Sequence, residues 1–315
     1  MFSRGACRKA RIQVVSLALI VSAGAAGFSE AQEGGALQPA SPGTGALTIE
    51  QARNAAISGV YDTTVTLKDG VFEGPPFDEG GAARPRLIVM GALVALGNLD
   101  GAPGDEAAMM LAENSGGSGE MVYLSVIGSR GGAPASIGTI AVGDRTKVVS
   151  FGISGMDVVT EVIEAGPSDP ACCPTQVARK VYALEGGALK MRSSTVTGIM
   201  SVALLSGAEW TAVEIDGVPI SGVERRPMAT VAGDRISGFG GCNRYTGQIK
   251  ETSPGGLAIG PIAGTRMACP EPEMQLEDRF LASLGKAVRY SFLAGRLVLS
   301  GMDGETMRSV LLTRK

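Results

Sequence analysis

The chain has no histidine in 315 residues. That absence removes the commonest general base and the commonest transition-metal ligand, and with them every Ser-His or Cys-His nucleophile pair, so most hydrolase schemes fall at once. Aromatic residues make up only 4% of the chain, whereas glycine occupies 46 positions. A thick aromatic core is therefore excluded, and small-residue packing with many turns favours a glycine-rich β architecture over a helical bundle. Basic charge is short as well. Residues 45–195 carry 11 bases against 17 acids, and residues 196–315 carry 13 against 12, so neither half has the field that nucleic-acid binding requires. There is no CxxC spacing, and without histidine a zinc knuckle has no ligand set. GxSxG, Walker, strand-linked GxGxxG and HExxH motifs are all missing.

The first residues read as an export signal. Arg4, Arg8, Lys9 and Arg11 precede an apolar run from Ile12 to Ala26, which is short for a bilayer span and is followed by the small-x-small site Ser29-Glu30-Ala31. The expectation is a signal peptide over residues 1–31, a flexible leader over 32–47 and a periplasmic or secreted protein with no transmembrane anchor after cleavage. No cysteine follows the apolar run, which disfavours a lipid anchor.

In an oxidising compartment the four remaining cysteines, Cys172, Cys173, Cys242 and Cys269, read first as disulfides. Three pairings are open. Cys242 with Cys269 is preferred, because Arg235 to Cys269 reads as a strand, a glycine kink, a second strand, a Pro-Gly-Gly turn and a third strand, which brings the two within reach. Cys172 and Cys173 are then left adjacent in DPACCPT as a vicinal disulfide, two free thiols or a bridge elsewhere.

Alternation of apolar and polar residues, punctuated by glycine turns, places a short helix from Thr48 to Gly59 and strands at 60–68, 86–96, 121–127, 136–142, 146–153, 158–165, 178–184 and 188–191. Regular spacing of this kind predicts an antiparallel sheet or small sandwich over residues 48–195. Between the second and third of these strands, GNLDGAPGDEAAMML places Asn98, Asp100, Asp105 and Glu106 on a glycine-containing turn. Those oxygens are candidate calcium ligands, with a solvated acidic turn as the bland alternative. No other cofactor is expected.

After Ser206 come Trp210, the segment GGCNRYTG from Gly240 and the segment GTRMACP from Gly264, followed by an acidic helix start at Glu271, Glu273 and Glu277 whose apolar face is predicted as Leu276, Phe280, Leu281, Leu284 and Val288. This arrangement resembles the META domain, also called HslJ-like, over about Leu205 to Lys315. The region from Leu96 to Leu124 is also similar to lipoprotein-type domains of exported bacterial proteins that carry a DLNGDG-like turn. The expected fold class is α+β, predominantly antiparallel β, with two β-rich domains (48–195 and 205–315), the second a curved HslJ-like sheet with one packed helix.

The resemblance implies a non-enzymatic envelope module that binds a partner or acts in stress response, the partner being an envelope protein or cell-wall component. Inhibition of a lytic enzyme is its sharper form. Asn243, Arg244, Arg266 and Trp210 are the candidate ligand or partner surface, although the two arginines read first as solvated strand-edge residues and Trp210 first as a core anchor. The alternative is a carboxylate-based hydrolase acting on cell-wall glycans through Glu273 and Glu277, one helical turn apart. Against it, carboxylates at a helix start are what the helix dipole favours on any solvated face. A redox role for Cys172 and Cys173 is the third reading.

Overall fold

A computed structural model describes residues 47–117, 119–130, 132–170 and 172–315. The expected signal peptide, and the leader up to residue 46, lie outside the described residues.

Helix α1 (Ile49–Ala52) begins with a capping box in which the Thr48 hydroxyl accepts from the Gln51 amide and the Gln51 side chain accepts from Thr48. It is one turn long rather than the three that the spacing predicted. β1 (Ala56–Ile57), β2 (Val65–Thr66) and β3 (Val71–Glu73) follow. The alternating stretch 60–68 therefore yields only a two-residue strand. Val60 and Tyr61 pack against an apolar cluster from the preceding bend instead of extending β2. The predicted turn at Lys68-Asp69-Gly70 is present, with φ of 52° at Asp69 and 84° at Gly70.

Two four-strand meanders come next: β4 (Arg86–Gly97), β5 (Glu106–Asn114), β6 (Met121–Arg130) and β7 (Ala133–Asp144), then β8 (Lys147–Ser154), β9 (Asp157–Glu164), β10 (Gln176–Glu185) and β11 (Ala188–Ile199). The first belongs to a seven-stranded sheet ordered β2-β1-β7-β6-β5-β4-β3, antiparallel except where β1 meets β7. The second is a four-stranded sheet ordered β11-β10-β9-β8. Met110, Leu124, Val126, Val158, Val162 and Tyr182 fill the space between the sheets. On the other face of the first sheet, Met109, Leu111 and Leu87 pack with Ala52, Ile57 and Leu67 from the α1–β3 segment. β5 is thus buried on both sides.

A 3-10 turn (Val202–Leu205) leads to the C-terminal half: β12 (Glu209–Ile215), β13 (Val218–Pro219), β14 (Met228–Ala232), β15 (Arg235–Phe239), β16 (Arg244–Ser253), β17 (Gly256–Ile259), β18 (Ala263–Gly264), α2 (Glu271–Gly285), β19 (Arg289–Leu293), β20 (Arg296–Asp303) and β21 (Thr306–Arg314). β12 pairs with β14 along one edge and with β21 along the other, so the sheet closes on itself. Inside lie Trp210, Ile236, Tyr245, Phe292, Leu299 and Val310. Leu276, Phe280 and Leu284 of α2 pack against them. Val288, predicted on the same helix face, falls instead after the helix has ended at Gly285 and is exposed. Val149, Ile163 and Val177 from the four-stranded sheet belong to this same core, so the two halves are continuous through their apolar interior.

Candidate functional site

The GGCN segment is held by one carboxylate. Glu277, on the second turn of α2, accepts the Cys242 amide through Oε2 at 3.1 Å, accepts the Asn243 amide through the same oxygen, and accepts Asn243 Nδ2 through Oε1 at 2.9 Å. Asn243 in turn accepts the Met267 amide at 2.7 Å and the Thr265 hydroxyl at 2.9 Å through Oδ1. The amide and carbonyl of one side chain therefore join GGCN, TRMAC and the helix, and the Cys242–Cys269 disulfide, with its Cα atoms 5.9 Å apart, closes the same corner. Both glycines of the kink are required by this approach. A Cβ on Gly240 would come within 2.7 Å of the Glu277 carboxylate, and Gly241 has φ of 134° with the Glu273 carbonyl 3.1 Å from where its Cβ would lie. Glu273 sits one turn earlier with Oε2 buried and without a hydrogen-bond partner.

From this corner β15 and β16 run out along the barrel wall. Alternation sends Ile236, Tyr245, Ala229 and Trp210 inward and turns the intervening residues outward. Register then builds the outer face in cross-strand rows. Glu209, Thr230, Ser237 and Thr246 lie side by side across β12, β14, β15 and β16. Met228, Phe239 and Arg244 form the next row towards the corner, and Arg235 opposite Gln248 forms a row on the far side. Apart from Gln248 these residues, with Arg225 and Lys315, line an open groove of about 730 Å³. The Arg225 guanidinium lies 4.1 Å from the centre of the Phe239 ring, and Lys315 pairs with Glu209 at 3.2 Å. Among the described residues no carboxylate lies within salt-bridge distance of Arg225, Arg235 or Arg244.

Of the four residues expected on a binding surface, Arg244 is in the groove. Asn243 is buried at the corner, Arg266 is exposed on the TRMAC segment, and Trp210 is fully buried, its indole N–H donating to the Leu205 carbonyl at 2.9 Å. Arg225, Arg235 and Phe239 were not singled out from the sequence. The signal was the alternation in Arg235, Ser237 and Phe239, which places all three on one strand face.

The β4–β5 connection holds three of the four candidate calcium ligands, Asn98, Asp100 and Asp105. Asn98 Oδ1 accepts the Gly101 amide at 2.7 Å and Asp100 Oδ1 accepts the Ala102 amide at 2.7 Å, while Asn98 Nδ2 donates to the carbonyls of Ala102 and Gly104. Glu106 is the first residue of β5, buried, with Oε2 accepting the Leu99 amide at 2.8 Å. Asp105 precedes it. Among the described residues no group of three or more Cys, Asp or Glu is placed to hold a metal ion.

Cys172 and Cys173 are exposed on the β9–β10 connection with their sulfurs at disulfide distance. That loop is organised by Asp169, whose carboxylate accepts the Gly166 amide at 2.8 Å and both the amide and hydroxyl of Thr175. These bonds hold its pKa below the usual carboxylate range, the Gly166 amide having the largest effect.

A closed antiparallel barrel with one packed helix and a disulfide-locked GGCN corner defines the class. The family model of the META domain matches residues 203–313, the part of the chain in which GGCN, TRMAC and the acidic helix stand. Two solved structures are similar to part of the chain. One, an NMR structure of a protein from Burkholderia xenovorans, is 25% identical, with 36% of this chain and 84% of that chain covered and a TM-score of 0.30. A second NMR structure is 23% identical, with 36% and 94% covered and a TM-score of 0.29. No curated protein matches the chain.

Proposed function

We propose that this protein is an exported, non-enzymatic binding or stress-response module of the bacterial envelope, acting through its C-terminal half. A META domain supports an envelope-associated or stress-response role, and two cysteine pairs at bonding distance suit an oxidising compartment. The observation that carries the non-enzymatic reading is the state of Glu277. Its two oxygens are taken up by three N–H donors that hold the GGCN corner together, which is a structural use of the carboxylate. The test is a pull-down of envelope extract on the full chain with its disulfides intact, beside a Cys242→Ser, Cys269→Ser variant. A saturable partner that the variant fails to retain supports the reading, and retention of nothing by either protein overturns it.

The second reading, a carboxylate hydrolase acting on cell-wall glycans, draws on Glu273, whose buried oxygen lacks a partner. It requires turnover of a cell-wall glycan by the purified chain. Loss of that turnover in Glu273→Gln at unchanged melting temperature would establish it, and absence of turnover in the parent protein disposes of it.

A further inference from the structure

The outer groove of the barrel has a composition that selects its ligand. Four cationic side chains, Arg225, Arg235, Arg244 and Lys315, face one carboxylate, and that carboxylate is already paired with Lys315. An anion entering the groove meets guanidinium groups that no carboxylate among the described residues pairs with, and guanidinium matches a carboxylate in two-point hydrogen bonding. Between the arginine rows runs a line of hydroxyls, Thr230, Ser237 and Thr246, with Gln248 beside Arg235. Thr230 Oγ1 donates to the Ser237 carbonyl at 3.1 Å and lies 3.3 Å from Ser237 Oγ, so the line presents hydroxyl oxygens at close to the separation of neighbouring hydroxyls on a sugar ring. Phe239 and Met228 supply an apolar strip on the corner side.

An extended acidic peptide fits this face less well. β14, β15 and β16 are each paired on both edges over the groove, so they have no free backbone groups with which to take on another strand. We infer that this groove binds a carboxylate-bearing glycan, its acid groups held by Arg235 and Arg244 and its hydroxyls by the Thr230–Ser237–Thr246 row. The inference deepens the binding-module reading and rests on it.

The probe is an oligogalacturonate, titrated into the full chain by calorimetry, with its neutral methyl ester and poly-glutamate as comparisons. The oligogalacturonate is expected to bind and the ester to bind roughly tenfold or more weakly, since charge-assisted bonds are lost. Arg235→Glu and Arg244→Glu are each expected to weaken the acid glycan by a similar factor. Thr230→Val with Ser237→Ala is expected to weaken the glycan while leaving any poly-glutamate binding unchanged. Melting temperature and the emission of Trp210, buried on the inner side of the same sheet, report whether each variant is folded.

Equal binding of acid and ester overturns the inference, as does poly-glutamate binding as tightly as the glycan with the hydroxyl variants silent. Failure of the oligogalacturonate to bind overturns it too. In that case the envelope pull-down separates the two levels of the argument: if the arginine variants retain the same envelope partner as the parent chain, the binding-module reading stands and the glycan groove falls. If nothing is retained by any of them, both fall.

Discussion

At the scale of single residues, two carboxylates hold the C-terminal barrel together. Glu277 satisfies two backbone amides and one side-chain amide at the GGCN corner. Glu277→Ala leaves these donors without their acceptor and is expected to cost about 3 kcal/mol in urea unfolding. Glu277→Gln keeps one good acceptor and should cost less, so a graded loss of stability is the expected result. Asp216 does the same at the opposite turn. It adopts φ of 52° before Gly217, accepts the Ser309 amide at 2.8 Å and the Ser283 hydroxyl at 3.1 Å, and pairs with Arg308 at 2.7 Å. Burial alone would raise its pKa, but the Ser309 amide, Arg308 and Ser283 outweigh it and hold the group below its ordinary value. A depressed folded pKa means stability that is present above the unfolded value of about 3.9 and is lost as pH falls through the folded value. Asp216→Asn is therefore expected to flatten the fall in melting temperature between about pH 5 and about pH 2 relative to the parent chain. The sequence showed Asp216-Gly217 as a turn; that its carboxylate reaches β21 and α2 depends on barrel closure, which no local pattern displays.

Elements were legible where their periodicity was clean. In β15 and β16 one face meets the barrel core and the other does not, and alternation in the sequence follows. β5 escaped for a physical reason. It is buried on both faces between two apolar clusters, so Glu106 to Ala112 shows no alternation, and its alanines and methionines are weak strand formers. Reading that stretch as the end of an acidic loop placed Glu106 on a turn, whereas it starts β5, an interior strand of the seven-stranded sheet. β11 was underestimated in length because its residues from Lys190 to Ile199 are exposed on both sides. It is also one of the two edge strands of its sheet, and Val196 and Ile199 are more than half exposed there. Unpaired edges of this kind recruit other chains. Val196→Lys is expected to slow aggregation on heating, followed by light scattering, while changing unfolding free energy by no more than about 0.5 kcal/mol.

For the whole molecule, the stapled loop of the barrel spans 27 residues in sequence. Replacing Cys242 and Cys269 by Ser should lower unfolding free energy by about 3 kcal/mol through a less constrained unfolded chain. The same substitution at Cys172 and Cys173 constrains almost no chain and should leave stability within about 0.5 kcal/mol. The pairing within the barrel was accessible from sequence because strand, kink and turn signals bracket it. The outer groove was not, because it is assembled from four strands whose register is set only when β12 meets both β14 and β21.

The apolar core that runs from Val149, Ile163 and Val177 into Trp210 and Phe292 has a consequence for anyone dividing this chain. The barrel's strands all lie within residues 209–314, yet its roof is supplied from upstream. A fragment cut at Val202 would keep every strand of the barrel and uncover an oily patch at one end, so the separated C-terminal piece should self-associate or bind apolar dyes where the intact protein does neither.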